Sequence, residues 1–198
     1  MKNVLSCQTE QNEIYTFINS EYAIEVTKYR DPHDSQNLRR VRKNLPKLQP
    51  PLQFFSLAKV DLSESKVVIV LSGGRSKADY SSSACYAYSI NDREWAELPN
   101  LVMARESHSS CSIGSSVYVF GGHDGAHDLM NAVELLHLNP NGIGEQQDHW
   151  QLISTNGSFE PRMNPVVCAI DDDVILLSGG FDNDVYFSDI LLFNTITQ

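Results

Sequence analysis

Two His and two Asp fall within six residues of one another, His123, Asp124, His127 and Asp128, directly after the glycine pair Gly121-Gly122. On a helix, His residues four apart share a face and converge on one metal ion. Gly125 disfavours a helix there, and the loops after two other glycine pairs, RSKAD and FDNDVYFSD, hold no His, so no metal is expected. The glycines could instead cradle a phosphate, but that chemistry needs a P-loop Lys and a following helix, and neither is visible. Asp182, Asn183 and Asp184 have the spacing that opens a calcium loop, yet the twelve-residue loop with its closing Glu is absent. A polar turn accounts for them, as a tight turn accounts for Asp171-Asp172-Asp173. No nucleophile elbow, Ser-His-Asp order or Cys-His pairing stands out, so neither a catalytic residue nor a cofactor is expected.

The elements that carry these loops recur. Val67 to Gly74 reads VVIVLSGG, Val117 to Gly122 reads VYVFGG and Val174 to Gly180 reads VILLSGG, each a short apolar strand broken by paired glycines. The pairs begin at 73, 121 and 179, a spacing of 48 and then 58 residues. After Gly73-Gly74 come a polar loop, the alternating stretch Cys85-Tyr86-Ala87-Tyr88-Ser89-Ile90, a turn at Asn91-Asp92 and a short strand over Glu94 to Leu98 ended by Pro99. The next unit opens on Ala104 to Ile113, turns at Gly114 and enters VYVF, so each unit contains four strands.

On these residues the chain resembles the kelch-repeat family, whose period is about fifty residues. A first motif matches at Gly73, Gly74, Tyr88 and Trp95; a second at Arg105, Gly121, Gly122 and Trp150, with Leu136 or Leu138 in the aromatic place; a third at Arg162, Gly179, Gly180 and Phe193. Arg105 to Arg162, Cys111 to Cys168, Ile113 to Ile170 and Val117 to Val174 are each 57 residues apart. If Phe193 corresponds to Tyr88, a third Trp is expected at position 200, two beyond the last residue of the sequence. The resemblance implies an all-β, incomplete kelch-type β-propeller: blades over 52–103 and 104–159, a truncated blade over 160–198, and a partial blade of two strands over 1–30. Residues 31–51, with the basic cluster RRVRK and Pro50-Pro51, read as a long exposed connection.

In such a fold the glycine pairs serve close approach of adjacent sheets. Trp95 and Trp150 bury their rings between sheets. Arg105 and Arg162 pair with backbone carbonyls or with a carboxylate of the next blade. These twelve motif residues are therefore structural.

Composition narrows the partner. The net charge of -10 is uneven: from residue 49 onward seven Lys or Arg face nineteen Asp or Glu, whereas residues 1–48 carry eight against six. An acidic repeat region lacks the basic surface that nucleic-acid backbones require and favours a basic or neutral partner. The longest apolar run, VVIVL, is far too short for a membrane span, and the N-terminus shows no apolar signal segment, so a cytoplasmic location is expected. Cys7, Cys85, Cys111 and Cys168 form no C-x-x-C pair and read as small apolar residues.

The resemblance implies a non-enzymatic module that binds a protein or peptide through loops on one propeller face, in the manner of ubiquitin-ligase adaptors and cytoskeletal scaffolds. The loop residues expected to do so are Arg75, Asp79, Tyr80, His123, Asp124, His127, Asp182, Asn183 and Asp184. A second class also uses kelch blades: enzymes resembling galactose oxidase or the iron-dependent specifier proteins, whose metal ligands come from several blades. Too few units are present to close a ring, so further blades from a longer chain or from self-association are expected.

Overall fold

The computed structural model describes residues 4–8, 13–19, 24–30, 48, 51–63, 65–76, 80–126, 128–139 and 148–197. Two compact units emerge, Met1–Gln53 and Phe54–Gln198. In the first, β1 (Val4–Gln8), β2 (Glu13–Asn19) and β3 (Ile24–Arg30) form an antiparallel sheet in chain order. Three strands therefore run where the sequence suggests two. β2 and β3 pair about Phe17 and Val26, and the additional β1 pairs Leu5 with Phe17. The strand VLSCQ escapes sequence reading because Ser and Gln interrupt its apolar character and no glycine pair marks its end. Of the expected connection, 31–47, 49 and 50 lie outside the described residues, and Leu48 is buried.

The second unit is all sheet among its described residues, in three antiparallel meanders. Sheet 1 comprises β4 (Ser56–Ser63), β5 (Lys66–Ser72), β6 (Cys85–Ser89) and β7 (Glu94–Leu98). Sheet 2 comprises β8 (Ser109–Ile113), β9 (Ser116–Phe120), β10 (Val133–His137) and β11 (Gln151–Ile153), and sheet 3 comprises β12 (Val166–Ala169), β13 (Val174–Ser178) and β14 (Ile190–Asn194). The glycine-ended strands β5 and β9 are unbroken apolar runs because both of their faces are covered.

One core lies between sheets 1 and 2, where Val60, Val68, Val70 and Ala87 meet Val117, Val119, Leu136 and Trp150. A second lies between sheets 2 and 3, where Tyr118, Phe120, Val133 and Leu135 meet Ile175 and Leu177, with Phe193 edge-on to Phe120 at a centroid distance of 5.5 Å. The small-residue strand β8 threads between these cores. Its side chains alternate: Ser110 Oγ reaches Ser56 Oγ at 2.7 Å and Ser112 donates to the Lys59 carbonyl, whereas Ser109 donates to the Pro165 carbonyl on the other side.

Register settles two equivalences. Tyr88, Leu136 and Phe193 each pair with the residue four before the first glycine, Ile69, Val117 and Ile175, so Leu136 rather than Leu138 holds the aromatic place. Val117 therefore corresponds to Ile175, not to Val174: the aspartate turn at 171–173 is one residue longer than the Gly114-Ser115 turn and shifts β13 by one place.

The glycine pairs are junctions between sheets. Gly121 has φ +67°, and a Cβ there would stand 2.6 Å from the Arg162 carbonyl oxygen of sheet 3. The next amide, Gly122 N–H, donates to that same oxygen at 2.8 Å, as Gly74 N–H donates to Arg105 O. These donors are thus already committed to the next sheet. A second junction runs through Ser107 and Asn164, both at positive φ, where Asn164 N–H donates to Ser107 O at 2.7 Å and Ser107 N–H to Phe54 O at 3.0 Å.

Candidate functional site

Arg105 and Arg162 anchor the loops. Arg105 is wholly buried; its Nη2 meets Glu134 Oε1 at 2.5 Å, Nη1 donates to Gly121 O and Ala132 O, and Nε donates to Met103 O. Glu134 also accepts the Val102 and Met103 amides, so both buried charges are hydrogen-bonded on several sides. Arg162 grips Asp189 with both terminal nitrogens, at 2.6 and 2.8 Å, and its guanidinium lies 4.0 Å from the Phe187 ring centre. The carboxylate partner thus comes from the same sheet, not from the next blade, because each arginine side chain lies across the end of the second strand and the start of the third. Burial lowers the Arg105 pKa while Glu134 opposes that shift, and the Arg162 hydrogen bonds hold Asp189 below its ordinary value.

Trp150 is buried between sheets 1 and 2, and its Nε1–H donates to Pro99 O at 3.0 Å. Trp95 is only part-buried, with its ring 5.1 Å from Tyr88 of its own sheet. Burial pushes the thiols of Cys85 and Cys111 up to about 12, which leaves them as protonated apolar groups.

The loops after the glycine pairs of sheets 1 and 2 come together. Arg75 and His123 occupy the same place in their repeats, immediately after the second glycine. Tyr80 is 72% exposed, and Arg75 lies 5.8 Å from its ring centre. Gly125, at φ +82°, abuts Tyr80 so closely that a Cβ would stand 2.6 Å from the Tyr80 Cβ. His123 and Glu106 exchange two backbone hydrogen bonds, each 3.0 Å. That ladder sets Glu106, only 2% exposed, beneath Arg75 and His123: its Oε1 is 4.0 Å from Arg75 Nη1 and 3.9 Å from His123 Nε2. Burial raises the Glu106 pKa and Arg75 opposes the shift.

Other expected site residues stand apart. Asp124 Oδ1 accepts the Ala126 and Asp128 amides, and Asp182 Oδ1 accepts those of Asp184 and Val185, so both carboxylates close their own loops. Asn183 and Asp184 are exposed on the sheet 3 loop. Asp79 and His127 lie outside the described residues. Among the described residues no group of three or more His, Cys, Asp or Glu is placed to hold a metal ion, and no helix is long and apolar enough to cross a membrane.

Glu106 is the residue that sequence reading passed over. It lies in the lead-in ARESHSS to a small-residue strand and reads as part of a polar turn. The available signal was the comparison of repeats, which sets Glu106 against Met163 and His123 against Phe181, pairs joined by the same backbone bridge. His108 is also buried, donating to or accepting from Ser72 Oγ through Nε2 at 2.9 Å, and burial, aided by the Arg105 charge, pushes its pKa down to about 3.

Comparison with known proteins agrees with this architecture. The model of the KLHDC2/KLHL20/DRC7 Kelch-repeats domain matches residues 50–198. Kelch domain-containing protein 3 of Mus musculus is 30% identical over 142 residues, 66% of this chain and 36% of the relative, and its Homo sapiens counterpart is 28% identical over 96 residues, 46% of this chain and 23% of the relative. An F-box/kelch-repeat protein of Arabidopsis thaliana is 42% identical over 43 residues, 22% of this chain and 11% of that protein. The chain thus spans between 23% and 36% of the length of the kelch domain-containing proteins it matches. With its glycine junctions, motif arginines and four-stranded sheets, the chain belongs to the kelch-repeat family.

Proposed function

We propose that this protein is a non-enzymatic interaction module that holds a protein or peptide segment on the loops following the glycine pairs of sheets 1 and 2, and serves as an adaptor or scaffold in the cytoplasm. The observation that carries this reading is the convergence of Arg75, Tyr80 and His123 over the buried Glu106 carboxylate. Charged and aromatic side chains gathered at one loop cluster, on rigid sheets, are the ordinary equipment of a recognition face. The acidic repeat region favours a basic or neutral partner over nucleic acid.

The module also needs a neighbour. Val166, Ile190 and Leu192 are 64%, 68% and 65% exposed on the face of sheet 3 that corresponds to the sheet 2 face covered by sheet 3 itself. A cavity of about 330 Å³ between residues 155–159 and β14 lies where Trp150 sits in the preceding repeat. The exposed face fits a further sheet of the same kind and the cavity fits a fourth strand of sheet 3, from a longer chain or a second copy.

Selection of a random-peptide display library on the whole chain tests the recognition reading. Enriched peptides are expected to lose binding to Arg75→Glu and His123→Asp variants whose melting temperatures match the parent. Peptides that bind these variants unchanged would remove the assignment to this loop face.

A further inference from the structure

Arg105 and Glu106 are adjacent in sequence and buried alike, yet only Arg105 has its hydrogen-bonding capacity met. Glu106 Oε1 accepts no hydrogen bond among the described residues. Two donors flank it without closing: Arg75 Nη1 at 4.0 Å and His123 Nε2 at 3.9 Å, whereas a nitrogen–oxygen hydrogen bond closes at about 2.7–3.2 Å. The His123 tautomer is fixed by its other nitrogen. Nδ1 accepts the Gly125 amide at 3.2 Å, which leaves the ring proton on Nε2, facing Glu106. Buried polar atoms are rarely left unsatisfied, and one that is so left invites a partner from outside.

Charge selects what that partner is. One carboxylate and one guanidinium balance near neutral pH, so Arg75 repels a bare cation and Glu106 repels a bare anion. A carboxamide carries two donors on nitrogen and an acceptor on oxygen, and therefore meets a complementary group on either side. The equivalent place in sheet 3, Met163 bridged to Phe181, carries no charge and offers no such seat.

We propose that Glu106 and Arg75, beside His123, form a seat for the uncharged Asn or Gln side chain of a bound peptide, its NH2 donating to Glu106 Oε1 and its oxygen accepting from Arg75. The proposal rests on the peptide-binding reading above and names the chemistry of its ligand. Arg75 is the outermost of the three side chains and forms the exposed wall of the seat.

Sequencing of peptides enriched from the same display library, followed by affinity measurements on single replacements, tests it. The expected result is Asn or Gln at one fixed position, with replacement by Asp or Lys weakening binding about tenfold or more. The preference for Asn over Asp should collapse in Glu106→Gln, which removes the repulsion of an anion. The preference for Asn over Lys should collapse in Arg75→Met, a change at a half-exposed side chain that leaves the core untouched. Enrichment of a charged residue at that position, or preferences unaltered in both variants, would overturn the seat and leave the recognition face standing. No enrichment at all would overturn both.

Discussion

Sheets 2 and 3 share their motif residues at nearly constant offsets but differ in surroundings. Leu135 and Leu192 hold equivalent places on their third strands; the first is buried against sheet 3 and the second is 65% exposed. Gly121 has the Arg162 carbonyl pressed against it, whereas the nearest atom to a Cβ on Gly179 is 3.8 Å away. Glu134 is wholly buried beside Arg105, while the Asp189 side chain beside Arg162 is 36% exposed. The same local chemistry is thus stabilising or idle according to what lies across from it.

The largest contrast concerns the ion pairs. Glu134→Ala leaves Arg105 as an uncompensated buried charge and is expected to cost about 3–5 kcal/mol in denaturant unfolding. Asp189→Ala is expected to cost less than half as much, because water reaches that site. Equal losses would break the comparison.

Next in size are the leucines. Leu135→Ala should cost about 2–5 kcal/mol, and Leu192→Ala should stay within about 0.5 kcal/mol, as for surface positions. If a further sheet covers Leu192 in a longer chain or an oligomer, that second value rises toward the first, which makes the pair a sensitive reporter of assembly.

The last contrast is a pH dependence confined to sheet 2, read as a slope. His108, held neutral with its pKa near 3 against an ordinary 6.5, has Pro165 as its counterpart in sheet 3. A depressed folded-state pKa gives stability that is complete above 6.5 and lost as the pH falls toward 3, by up to about 1.4 kcal/mol per pH unit. Unfolding free energies of His108→Gln measured between those pH values are expected to show a shallower slope than the parent.

Much of this was legible in the sequence. The apolar runs ending in glycine pairs located β5, β9 and β13, and the 57-residue offsets aligned the two arginines. Strand register was less legible, since one additional aspartate in a turn shifts β13 by a residue without altering its composition. The exposure of Ile190 and Leu192 was not legible at all, because an apolar strand reads the same whether or not a neighbour covers it. Glu106 was hidden for a related reason. A lone acidic residue in a serine-rich lead-in looks solvated until a backbone ladder shows that it is buried.

In the reading proposed above, the buried charge on Glu106 is retained for recognition and contributes nothing to folding. Thermal unfolding of Glu106→Gln and Glu134→Gln, side by side with the parent chain, tests this most directly. Relief of an unsatisfied buried carboxylate predicts that Glu106→Gln melts at the parent temperature or above it, while Glu134→Gln melts well below. A Glu106→Gln protein that melts as early as Glu134→Gln would make Glu106 a structural residue and contradict the account.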